Sequence, residues 1–166
     1  DVSYPTHEDN VRMPLSPYAL QKATCEDYSR IFATLHGLDV VCLRYFNVFG
    51  PGQFGGSPYS TVISAWCSAI AAARRRNTRP IVRLDGDGEQ TRDFCYITNV
   101  VDANVAAALS RDKFAGVPIN IAHGEEHSIN YVLDMMNKRV GDIDVVRQPT
   151  RPGDVRRTYA DVSRAQ

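Results

Sequence analysis

The sequence predicts an α/β layered fold, and three observations predict it. Segments whose apolar residues recur at helical spacing alternate along the chain with short apolar runs rich in β-branched residues. One run, Val40-Val-Cys-Leu43, is apolar at every position, the pattern of a strand covered on both faces of a parallel sheet. The 166 residues are 43% hydrophobic and 23% charged with 11 Gly and 9 Pro, which suits one folded domain or part of a larger one and excludes a collagen-like, low-complexity or disordered chain.

Residues 1–13 lack periodicity. Pro17, in first-turn position, then opens a helix to about Leu35 on which Tyr18, Ala19, Cys25, Tyr28, Ile31, Phe32 and Leu35 share the helical period, and Gly37 closes it. After the Val40–Leu43 strand comes a Gly/Pro-rich loop from Gly50 to Pro58. A second helix runs from about Tyr59 to Arg75, with Arg74, Arg75 and Arg76 at its negative end. Strands are expected at Ile81–Leu84 and Phe94–Ile97, a helix at Val100–Leu109, a strand at Ile119–Ala122, a helix from Ser128 to about Arg139 and a strand at Ile143–Val146. Asp161-Val-Ser-Arg-Ala-Gln166 reads as a capped helix start that stops before its second turn. The chain opens on Asp1 instead of Met, so both ends read as cut.

Lys+Arg 19 against Asp+Glu 19 leaves no net charge, which removes the electrostatic attraction that nucleic-acid and anionic-membrane partners depend on. A run of about 18 apolar residues, as a membrane span needs, is also missing. Cys25, Cys42, Cys67 and Cys95 are widely and irregularly spaced in apolar surroundings, which suits reduced core thiols better than a disulfide or zinc framework and points to a cytoplasmic protein.

Three short patterns lead nowhere. Gly50-Pro-Gly-Gln-Phe-Gly55 matches a dinucleotide-binding turn, but Ser57-Pro58 delays the helix that should follow, and no acid occurs between Asp39 and Asp85 to hold a ribose. His123-Gly-Glu-Glu-His127 has metal-ligand spacing only on a helix, and Gly124 after a strand makes it a surface turn. Asp85-Gly-Asp-Gly-Glu89 lacks the glycine that a calcium loop needs where Gln90 stands. No metal site is expected.

Tyr18-Ala-Leu-Gln-Lys22 is different in kind. At i and i+4 on a helix the phenol and the ammonium share a face, where the cation favours a phenolate able to act as general base toward an alcohol. The spacing alone is also that of an ordinary amphipathic pair.

Four strings, Pro14-Leu-Ser-Pro-Tyr-Ala-Leu-Gln-Lys22, Leu43-Arg-Tyr-Phe-Asn-Val-Phe-Gly-Pro51, Gly86-Asp-Gly-Glu-Gln-Thr-Arg-Asp-Phe94 and Arg151-Pro-Gly-Asp-Val155, occur in order along the chain. Together they closely resemble the NAD-dependent sugar-nucleotide epimerase/dehydratase branch of the extended short-chain dehydrogenase/reductase superfamily. Arg92-Asp-Phe-Cys-Tyr-Ile97 and the Asn120-Ile-Ala122 strand are most similar to UDP-N-acetylglucosamine and UDP-glucose 4-epimerases.

The resemblance implies that the chain is the C-terminal part of a Rossmann-like doubly wound parallel sheet (1–58) plus a smaller α/β substrate-binding domain (59–166), with most of the NAD site on a preceding half. It implies Tyr18 as the base that takes the sugar 4-OH proton and Lys22 as its partner and ribose contact. Tyr45 and Phe46 would line the nicotinamide and Asn47 would bind the substrate diphosphate. Thr61, Val62, Arg83 and Leu84 match uridine contacts, with Arg83 standing where relatives often carry an aromatic and Ser64-Ala65 where they commonly show Pro-Lys. Arg92 would clamp the diphosphate, and Arg151 with Asp154 would hold diphosphate and ribose or base. Thr158 borders the pocket for the sugar 2-substituent, and its small size would admit an N-acetyl group. The expected reaction is 4-epimerisation of a UDP-hexose or UDP-N-acetylhexosamine by a homodimeric parent, the chain alone being inactive. A 4,6-dehydratase or decarboxylase shares Tyr18 and Lys22, and a non-catalytic nucleotide-sugar-binding module is the reading from another class.

Overall fold

Ser16 starts the first helix: its hydroxyl accepts the Ala19 amide at 3.1 Å, satisfying one of the donors that a helix N-terminus leaves open. In the computed structural model, which describes residues 3–56, 60–151 and 153–166, this helix is α1 (Pro17–His36), closed by left-handed Gly37. The other helices are α2 (Val62–Arg76), α3 (Ile97–Leu109) and α4 (Ile129–Val140), followed by a single 3-10 turn at Ser163–Ala165. The predicted start of the second helix at Tyr59 lies outside the described residues.

Among the described residues six strands form three pairs. β1 (Cys42–Tyr45) runs parallel to β4 (Pro118–Ile121), β2 (Ile81–Asp85) parallel to β6 (Asp144–Gln148), and β3 (Thr91–Asp93) antiparallel to β5 (Glu126–Ser128). The parallel pairs are joined through helices, as parallel strands require. The main core lies around β2. Val82 and Leu84 point inward by the alternation of the strand and pack with Trp66 and Ile70 of α2, Ile129, Val132 and Leu133 of α4, and Ile143. A smaller cluster of Cys95, Val100 and Ile121 sits beside β1 and β4.

Several elements differ from the sequence expectation. The strand expected at Phe94–Ile97 is displaced to Thr91–Asp93, because its ladder partner is Glu126–Ser128, hidden inside the polar stretch that reads as a plain turn. Phe94–Tyr96 instead runs past Phe49, and Ile97 already begins α3, three residues ahead of Val100. The first strand is likewise shifted to Cys42–Tyr45. It has one strand neighbour among the described residues and is half-exposed along its length, so it is not covered on both faces. Nor are the cysteines all core thiols. Cys95 is buried, but Cys25 and Cys67 are exposed, on helix faces without cover. All four are free thiols.

The aperiodic N-terminal stretch is pinned despite its lack of pattern. Thr6 bridges Ala160, and the buried Glu8 carboxylate accepts the Asn120 amide at 2.8 Å. The final helix start is one 3-10 turn, with Asp161 accepting the Ser163 amide at 2.9 Å. Among the described residues no helix is long and apolar enough to cross a membrane.

Candidate active site

Tyr18 and Lys22 lie one turn apart near the start of α1, with the Lys22 ammonium 5.5 Å from the centre of the Tyr18 ring. Capping by Ser16 and the preset φ of Pro17 fix the helix start, and hence the direction in which this pair points. Both line a hollow of about 1270 Å³ that also takes in Tyr45, Leu43 and Val48. The Tyr45 hydroxyl is held at 3.0 Å from the Asn104 side-chain oxygen on α3. Phe46 is half-buried and lies outside the walls of this hollow. On its rim Arg44 grips Glu26 of α1 with two 2.7 Å contacts, a bidentate pair that locks β1 to the tyrosine helix.

A second cavity, of about 660 Å³, opens between the N-terminus of α2, strand β2 and the segment around Arg151. Its walls include Asn47, Thr61 and Val62, then Arg83 and Leu84, and finally Arg92, Arg151 and Asp154. These are all the substrate-contact positions named from the sequence apart from Thr158, drawn from residues more than 100 apart along the chain. Trp66 floors the cavity, its indole nitrogen donating to the Arg83 carbonyl at 2.8 Å.

The charged groups here are paired. Arg92 is mostly buried and donates to the Asp154 carboxylate at 2.6 Å, not to its neighbour Asp93. Arg83 and Arg151 meet on a single acid, Asp85, at 2.6 Å and 2.5 Å. Asn47 donates to the Asp93 carbonyl and to the Thr158 hydroxyl, both at 2.9 Å. Thr158 is therefore beside the cavity, in contact with one of its lining residues, and outside the lining itself.

Sequence reading missed three groups. Asp93 is fully buried and accepts the amides of His123 at 2.9 Å and of Gly124 and Ala160 at 3.2 Å, tying β3 to two distant segments directly behind Arg92. Burial, and next the Asp93 charge, push the neighbouring Cys95 thiol up to about 11. Asp85 is the second, and the signal for it was present: residues two apart on a strand share a face, so an acid at 85 stands beside the arginine at 83. Gln90 is the third, donating to the Asp85 carbonyl at 2.6 Å from within the cavity wall. Gly88, at φ +83, lets this turn close, since a Cβ there would meet the Asn130 amide oxygen at 2.1 Å.

A family model described as the NAD dependent epimerase/dehydratase family matches residues 2–122. The UDP-glucose 4-epimerase of Mycolicibacterium smegmatis is 33% identical over 167 residues, which cover 99% of this chain and 50% of that protein. Among solved structures, the UDP-N-acetylglucosamine 4-epimerase of Methanobrevibacter ruminantium M1, in complex with UDP-N-acetylmuramic acid, is 39% identical with a TM-score of 0.86, the match covering 99% of this chain and 51% of that one. An NAD-dependent NDP-hexosamine 5,6-dehydratase of tunicamycin biosynthesis is similar too, at 30% identity and a TM-score of 0.82 over 98% of this chain and 50% of that one. The chain spans about half the length of the curated relatives it matches.

Proposed function

The chain belongs to the NAD-dependent epimerase/dehydratase family, and from that premise we propose that it carries the catalytic tyrosine and the nucleotide-sugar site of an NAD-dependent UDP-sugar 4-epimerase. The observation that carries the reading is the second cavity. Residues matched to uridine and diphosphate contacts, drawn from five separate segments of the chain, converge on one concave site with three arginines. Arginine forks suit a diphosphate, and the α2 N-terminus adds amide donors at the same wall.

The chain's own groups divide the work. Arg92 and Arg151 bind the diphosphate, joined by Arg83, which the resemblance matches to a uridine contact but whose shared ion pair with Asp85 sets it beside Arg151; Thr61, Val62 and Leu84 flank the base. The sugar then extends toward the hollow of Tyr18, whose phenolate, stabilised by Lys22, takes the 4-OH proton and becomes the phenol. Tyr18, Lys22 and Tyr45 present a cation, hydroxyls and ring faces to one hollow, and these residues fit the ribose and nicotinamide end of NAD, whereas Phe46 lies outside its walls. NAD, when bound, supplies hydride acceptance and return at the sugar C4. The whole enzyme works in this reading as a homodimer on a UDP-hexose or UDP-N-acetylhexosamine. Thr158→Tyr, which sets a phenol beside Asn47, lowers kcat/KM for the acetylated sugar more than for the plain one.

The kinship with a dehydratase favours a second reading, a nucleotide-sugar dehydratase that starts from the same Tyr18-assisted oxidation. Product analysis of the protein carrying this chain, given UDP-glucose and UDP-N-acetylglucosamine, separates the two: inversion at C4 for the epimerase, loss of water for the dehydratase. Tyr18→Phe lowers kcat by about 100-fold or more with little change in KM, the usual size of a general-base contribution. Comparable turnover in that variant would remove Tyr18 from the mechanism.

A further inference from the structure

We propose that Asp85 is a positioning residue for the diphosphate: its carboxylate braces the two guanidiniums of Arg83 and Arg151 so that both present their outer nitrogens to the nucleotide cavity. The inference rests on the reading of that cavity as a nucleotide-sugar site. Asp85 is mostly buried, its side chain 13% exposed, whereas those of Arg83 and Arg151 are 59% and 54% exposed. Each arginine contacts it through Nε, the inner nitrogen, Arg83 on Oδ1 and Arg151 on Oδ2. Among the described residues neither makes another ion pair.

Asp85 is itself fixed. It ends β2 in register with Gln148, Gln90 donates to its carbonyl at 2.6 Å, and the next amide, of Gly86, donates to Gln148 at 2.8 Å. Arg92 rests on Asp154, which it contacts through an outer nitrogen, so each guanidinium of the cavity is paired with a carboxylate.

Two effects of removing Asp85 oppose each other. The variant loses a negative charge near an anionic ligand, which favours binding, and it frees two long side chains, which opposes it. At these exposures charges are screened and worth little, whereas an oriented fork keeps its hydrogen bonds to phosphate without first losing rotamer freedom. The brace outweighs the repulsion, and removal weakens binding.

The full chain, titrated with UDP by calorimetry and with uridine by NMR shift changes, tests this in Asp85→Ala and in the isosteric Asp85→Asn. We expect UDP to bind about tenfold more weakly to Asp85→Ala and less weakened to Asp85→Asn, with uridine affinity unchanged within about twofold in both. Unchanged or tighter UDP binding, the latter marking Asp85 as a competitor of the phosphates, would overturn the proposal. Equal losses for UDP and uridine would do so too, as the sign of general damage to the cavity. Failure of the unsubstituted chain to bind UDP at all would instead strike the nucleotide-site reading, and this inference with it.

Discussion

The two parallel strand pairs meet solvent differently. Around β2 and β6 the chain builds a closed core, with Trp66 2% and Val82 and Leu84 1% exposed, and the arginine cavity sits directly on it. Around β1 and β4 the flanking helix α1 has no buried residue, and Tyr28, Ile31, Phe32 and Leu35 lie open on it. The proposed nucleotide site is thus supported by packing within this chain, whereas the tyrosine and lysine stand on a helix held by its caps and by the contacts of Arg44 with Glu26 and of Arg12 with Glu26 and Asp27. One half sets its geometry through core packing, the other through local structure.

The largest expected effect is on stability. Trp66→Ala should lower the unfolding free energy by about 3–5 kcal/mol in urea titrations, through the cavity it opens and the hydrogen bond it deletes. Phe32→Ser on α1 should change it by no more than about 0.5 kcal/mol. Equal losses would erase the contrast between the two halves. Asp93→Ala leaves three amides without their acceptor, at about 1–3 kcal/mol for a buried unpaired group, and should approach the Trp66 loss.

Next in size is association. Tyr28, Ile31, Phe32 and Leu35 lie exposed on one helix, so light scattering should show concentration-dependent self-association, reduced by paired Phe32→Ser and Leu35→Ser changes. A strictly monomeric chain at all concentrations would contradict this.

A smaller effect concerns acid. Arg157, and then Thr91, hold the Glu126 carboxyl below its ordinary value of 4.5. A carboxyl lowered by folding contributes stability that is complete above its unfolded value and lost as the pH falls through the folded one. Arg157→Gln should therefore lower the melting temperature more at pH 7 than at a pH acid enough to protonate Glu126, where only the contacts of Arg157 with the Tyr4 and Tyr159 rings are lost. The smallest effect is chemical. At pH 8 a thiol reagent should label Cys25 and Cys67 quickly and Cys95 only on unfolding, since the Cys95 thiol is buried and pushed up to about 11.

What could be read from the sequence follows the same division. The α1 start, its Gly37 end and the shared face of Tyr18 and Lys22 depend on neighbours within four residues, and the helical period carries them. The arginines of the cavity are legible only through the resemblance of their strings to a family, since nothing local says that Arg92 and Arg151 converge. β3 was misplaced because its pairing with Glu126–Ser128 is a non-local fact. Asp93 and Glu8 look like surface acids in sequence, and only amides 30 or more residues away explain their burial. Asp85 reads in the sequence as part of a calcium-like loop, while its strand-mate Arg83 is the better clue.

The central claim is that the cavity on the β2 half is the nucleotide site and that it is built by this chain. Calorimetric titration of UDP into the chain, beside Arg92→Ala and Lys22→Met, tests it most directly. The account predicts saturable binding of one UDP, weakened by at least about tenfold in Arg92→Ala and unchanged in Lys22→Met. Equal affinity in Arg92→Ala, or no binding by the unsubstituted chain, would contradict it.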